Sequence, residues 1–190
     1  MDIIPKKDTV ITSFIVPYIL GYGIKTREEA KRYIKHGETL NPNYYPRLIE
    51  KVKKEGMNSV IKFFNDELFN TRTIDNNLSE MFGETVYRPW DCLSFIHQIT
   101  LNDKMGLVAR PDGVTMNNET IIMVNNYFNK IDNFTKKILE TQLIATMAVW
   151  NAKKGIVLLT KNKSSIRLDF DAEKWDTFLN ELIIWSDECK

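Results

Sequence analysis

The chain has 190 residues, enough to bury one hydrophobic core, and its 43% hydrophobic and 27% charged content excludes a disordered or low-complexity protein. A formal net charge of +1 excludes binding to nucleic acid through bulk charge alone and leaves room for a local basic groove. Two cysteines, Cys92 and Cys189, stand far apart with no CxxC pair and no Cys/His cluster, so free thiols in a reducing, intracellular compartment are expected rather than a disulfide framework or a zinc site.

The N-terminus, MDIIPKKDT, lacks the apolar core of a signal peptide. The most apolar stretch, residues 10–20, is interrupted by Thr12, Ser13 and Pro17, and no run approaches the ~20 residues a membrane span needs. Abundant Asn, Lys and Ile suggest an AT-rich genome, such as a viral one.

Residues 1–85 read as helical. Thr26 and Glu29 form a capping box that opens a helix ending at Gly37. After the proline-rich loop NPNYYP, Pro46 starts a second helix, and Val60, Ile61, Phe64 and Leu68 recur at helical spacing in a third. A short helix is expected over 75–82. The pattern then changes to strands at 86–99, 106–110 and 120–124, with Asn117-Asn118 as a turn.

Residues 133–152 spell a long helix with a broad apolar surface, GIVLLT at 155–160 a buried strand, and 166–170 a further strand. Asp171 caps a last helix whose Trp175, Phe178, Leu179, Leu182 and Ile183 form one stripe. The expected fold is α/β: a central mixed β-sheet flanked by helices at 86–190, behind a helical N-terminal part, all in one domain spanning 1–190.

The stretch GLVARPDGVTMNNETIIMVNN, residues 106–126, carries the chemistry. A strand delivers Pro111-Asp112-Gly113, and a second strand follows. In a metal-dependent nuclease such a hairpin places one carboxylate at a strand end. A second carboxylate and a lysine stand two residues apart on the neighbouring strand, where they share a face. The carboxylates hold Mg²⁺ and the lysine assists the attacking water.

With Pro111-Asp112, an apolar strand about ten residues on, and the helix-strand segment ETQLIATMAVWNAKKGIVLL, residues 80–170 resemble the PD-(D/E)XK nuclease superfamily, more closely its lambda exonuclease-like viral branch. The resemblance implies a restriction-endonuclease-like sheet, Asp112 as a metal ligand, Gln142 beside the metal, and an upstream acid, for which Glu80 is the candidate. The family's acid-x-Lys positions fall on Met123 and Asn125. A thioether is a poor ligand for a hard cation and an amide carries no charge. A shift of one residue either way restores neither acid nor lysine.

The leading expectation is therefore a degenerate nuclease-like protein, catalytically impaired and acting as a nucleic-acid-binding or protein-binding subunit in viral DNA processing. No cofactor is expected. The first alternative is an active exonuclease or endonuclease using Mg or Mn with relocated ligands such as Glu119 or Glu140. The second is a structural or host-antagonist interaction protein.

Lys153, Lys154, Lys161, Lys163 and Arg167 bracket the last strand pair and can contact a phosphate backbone. Plainer readings stand beside these: Asp112 shaping a Pro-Asp-Gly turn, Gln142 and Glu80 as helix-face residues, the basic residues as solvated turn charges, and Tyr87, Trp90 and Phe95 as core aromatics rather than base-stacking rings.

Overall fold

A computed structural model describes residues 9–36, 74–88, 98–115, 119–128, 131–161 and 163–189. The helices expected over 46–54 and 58–69, the turn at Asn117-Asn118, and Trp90, Phe95 and Cys92 lie outside these residues.

The β-branched run at the start does not join a helix. Thr9–Thr12 forms β1, which lies parallel to β5 (Met105–Val108), with Ile11 beside Leu107. β2 (Lys35–His36) and β4 (Gln98–Thr100) pair antiparallel at either side, giving a four-stranded mixed sheet in the order β2-β1-β5-β4. The helical expectation is corrected here for residues 9–12 and 35–36. Thr, Val and Ile suit a pleated surface, and pairing with a distant strand overrides local pattern.

The capping box is present. The Thr26 hydroxyl accepts from the Glu29 amide while the Glu29 carboxylate accepts from the Thr26 amide. The helix it opens, α2 (Arg27–Ala30), is shorter than expected, because the chain turns through a 3₁₀ segment, Lys31–Tyr33, into β2. α1 (Val16–Ile19) precedes it.

The second sheet holds β3 (Val86–Tyr87), β6 (Gly113–Thr115), β7 (Thr120–Asn125), β8 (Lys154–Leu159) and β9 (Ser164–Asp169), in that order. β7 and β8 are parallel, and the other neighbours are antiparallel. α4 (Asn133–Trp150) makes the crossover between β7 and β8. Asp132 caps its start, and Asn151 ends it in the left-handed conformation. α5 (Ala172–Glu188) starts at its Asp171 cap and buries Trp175, Phe178, Leu182 and Trp185. The expected α/β class, with mixed sheet and flanking helices, is what the chain adopts, with the strands divided between two sheets. No helix among the described residues is long and apolar enough to cross a membrane.

Each face of the second sheet has its own cover. On one, Ile121, Val157 and Ile166 pack with Leu139, Leu143 and Met147 of α4 in the main core, which also takes in Ile11 and Leu107 of the first sheet. On the other, Ile122, Ile156 and Leu158 pack under Leu78 of α3 (Asn76–Phe82). Gly155 makes the α4 contact possible, since a Cβ there would lie 2.6 Å from Met147 Sδ and 2.8 Å from Leu143 Cδ1. α3 is tied to β3 by one hydroxyl: Ser79 Oγ donates to the Asp75 carbonyl (2.7 Å) and accepts from the Val86 amide (2.9 Å).

The chain crosses from the first sheet to the second at residues 109–112, between β5 and β6. The buried Trp150 Nε1 donates to the Ala109 carbonyl at 2.9 Å and anchors this corner on the end of α4.

Candidate functional site

The corner opens on a cleft of about 680 Å³ lined by residues of four stretches: Asp75, Asn77 and Leu78; Arg88; Arg110, Pro111 and Asp112; and Val124 and Asn126. All lie at one end of the second sheet. β3 and β7 run toward that end, β6 runs away from it, and parallel pairing brings the end of β8 there as well.

Asp112 is exposed at the corner, and its Oδ2 accepts the Val124 amide at 2.6 Å, while its own amide donates to the Ile122 carbonyl. The carboxylate thus joins β6 to β7 as well as lining the cleft. Asp75 is buried at the N-cap of α3, where it accepts from the Leu78 amide (3.1 Å) and from Arg88 Nε (2.8 Å). The Leu78 amide, and then the Arg88 guanidinium, hold its carboxyl below the usual carboxylate range. Asp75 in turn fixes Arg88, whose side chain is 64% exposed at the cleft. Asn126 Oδ1 accepts from the Thr160 hydroxyl at 2.6 Å and links the cleft to the β8–β9 turn.

The positions carried over from the resemblance are placed differently. Met123 packs half-buried against the core on the α4 side, while its neighbour Val124 packs on the α3 side and lines the cleft. Asn125 Oδ1 accepts from the amides of Tyr127 (3.1 Å) and Phe128 (3.2 Å), closing the end of β7. The residues that β7 and its end bring to Asp112 are therefore Val124 and Asn126, and neither is an acid or a lysine.

Gln142 is buried in α4 with Nε2 donating to the Phe14 carbonyl (3.1 Å), so it braces the N-terminal segment and does not line the cleft. Glu80 is exposed on α3 and lies outside the cleft lining, where Asp75 stands instead. Glu119 binds Lys153 at the opposite end of the sheet, and Glu140 lies 3.7 Å from Lys136.

The five basic candidates separate. Lys161 and Lys163 follow Thr160 at the cleft end. Lys153 and Lys154 stand at the start of β8, about 17 Å away at ~3.3 Å per residue. Arg167 lies between, on β9 opposite Ile156, with its guanidinium 5.9 Å from the Phe82 ring centre.

Sequence reasoning missed Arg88, Arg110 and Asp75. The signal for the arginines is the proline that follows each, Pro89 and Pro111, because a residue before proline is held extended and a proline donates no ladder bond. Arg-Pro therefore marks a strand end, where a side chain can face a cleft.

A dication does not fit this donor set. Mg²⁺ or Mn²⁺ wants several hard oxygens, preferably charged. One cleft carboxylate is bonded to the Val124 amide and the other to Arg88 and the Leu78 amide, with a second guanidinium in the same lining. Among the described residues no three His, Cys, Asp or Glu side chains are grouped to hold a metal ion.

No family model matches the chain, and no curated protein does. Among solved structures it is similar to an alkaline exonuclease (LHK-Exo) from Laribacter hongkongensis, with 13% identity and a TM-score of 0.48 over 94% of this chain and 87% of that one. It is also similar to a phage related exonuclease from Haemophilus somnus 129PT, with 11% identity and a TM-score of 0.47 over 94% of this chain and 92% of that one.

Proposed function

We propose that this chain is a nuclease-like protein that grips the phosphate backbone of nucleic acid in the corner cleft without cutting it, as a binding subunit in viral DNA processing. One observation carries the reading: Arg88 and Arg110 share the cleft with Asp112, while β7 contributes Val124 and Asn126 where hydrolysis needs a second anionic ligand and a lysine. A guanidinium presents a planar fork of donors that matches two phosphate oxygens. Lys161 and Lys163, on the turn next to Asn126, extend the cationic end of the sheet. The overall charge of only +1 agrees with such a local contact, because a few well-placed cations suffice to position a backbone.

The purified chain, incubated with labelled single-stranded and duplex DNA and RNA in Mg²⁺ or Mn²⁺, is expected to bind with salt-sensitive affinity and leave the strands intact. Cleavage that disappears in Asp112→Ala overturns the reading. A second reading has one observation behind it, since Asp75 and Asp112 line the same cleft. If both served a metal, cleavage would vanish in Asp75→Asn and Asp112→Asn alike. Absence of salt-sensitive binding to any nucleic acid would instead favour a protein-interaction role.

A further inference from the structure

Beyond the cleft lining, the next residue after Asn126 is Tyr127. It is the most exposed large hydrophobic side chain among the described residues, at 83%. It belongs to neither hydrophobic cluster, so its ring contributes nothing to the packing described. Its main chain, by contrast, is held. Asn125 Oδ1 accepts the Tyr127 and Phe128 amides, and the Asn126 side chain on the other flank is bonded to Thr160. A fixed backbone that presents a large ring to water, one residue on from a cleft lined by Arg88 and Arg110, is the arrangement of a stacking platform. Among the described residues the other exposed aromatics are more covered: Phe14, which packs edge-on against Tyr18 at 5.8 Å, is 54% exposed, and Phe134, in the first turn of α4, is 48% exposed.

We propose that the cleft takes single-stranded nucleic acid, with an unpaired base stacked on Tyr127 and the adjoining phosphate on Arg88 and Arg110. The inference rests on the phosphate-binding reading above and adds the class of strand. Stacking on one face of a tyrosine requires a base whose own face is open, and paired bases inside a duplex have none to offer. Aromatic rings serve this role without sequence preference, because every base has a π-face. The strand would run along the sheet end from the corner past Tyr127 toward Lys161 and Lys163.

The test uses the full chain and three labelled ligands of equal length: an oligo-dT strand, a duplex, and an abasic strand that keeps the phosphates and sugars. Binding is read by fluorescence anisotropy. The oligo-dT strand is expected to bind more tightly than the other two, and Tyr127→Ala to weaken it about tenfold while leaving the abasic strand unchanged. Tyr127→Phe should retain the wild-type preference, and Arg88→Ala should weaken all three ligands. If Tyr127→Ala binds oligo-dT as wild type does while Arg88→Ala still weakens it, the stacking proposal falls and phosphate binding stands. If no ligand binds in a salt-sensitive way, both fall. Far-UV circular dichroism confirms that each variant is folded, as the exposure of Tyr127 leads one to expect.

Discussion

At the scale of single residues, the cleft depends on carboxylates that do structural work. Asp75 satisfies an orphan amide at the start of α3 and fixes Arg88 at the same time. The two tasks can be separated. Asp75→Asn keeps an N-cap acceptor but loses the charge that pairs with Arg88, whereas Asp75→Ala loses both, and the missing cap alone costs about 1 kcal/mol. Urea denaturation should therefore rank the proteins wild type, Asn, Ala. The pH dependence follows from the sign of the shift. The Asp75 carboxyl titrates lower in the folded state than in the unfolded chain, so its contribution is complete above the unfolded value of about 3.9. It is lost as pH falls from there through the lower folded value. Wild type should lose more stability than Asp75→Asn on acidification below about pH 4. Equal losses would show that Asp75 is not held as described.

At the scale of elements, α4 backs the second sheet at the end away from the cleft and reaches the corner through its last turn. The helix packs its Leu143 and Met147 directly on the backbone of β8 at Gly155, and its last turn sends Trp150 to the corner carbonyl of Ala109. The approach leaves no room for a methyl group. Gly155→Ala puts a Cβ within 2.8 Å of Leu143 side-chain atoms near their branch point, so helix and strand must move apart. Such overpacking typically costs about 1–3 kcal/mol. Thermal or urea unfolding should show a loss in that range, and a loss of nucleic-acid affinity should accompany it if the corner shifts with the helix. A Gly155→Ala protein as stable as wild type would contradict this packing.

At the scale of the whole molecule, net charge and local charge give different expectations. A +1 protein has no long-range attraction to a polyanion, so affinity should come from a small number of phosphate contacts. Each neutralised phosphate contributes a slope of about −0.7 to a plot of log affinity against log salt for single strands. Arg88→Ala and Arg110→Ala should each flatten that plot by about one contact. Lys153→Ala, at the far end of β8, should leave it unchanged. A slope reduced by Lys153→Ala and not by the arginine variants would place the interface at the opposite end of the sheet.

Local chemistry was enough to read much of this protein. The Thr26–Glu29 capping box, the short helix α3, the long crossover helix, the apolar β8 and the capped final helix all follow from periodicity and end signals carried within a few residues. The place of Asp112 at a strand end was also legible, as was the absence of an acid-x-Lys pair on the strand that follows it. What the sequence could not decide were facts of distant pairing. Residues 9–12 become a strand only because β5 lies beside them, nearly a hundred positions away. Met123 and Val124 go to opposite faces because β7 is covered by different helices on its two sides, and a side-chain period of two makes a one-residue difference in register decisive. Arg88, Arg110 and Asp75 share a cleft because separate stretches of chain end at the same edge of one sheet, a coincidence in space with no counterpart along the chain.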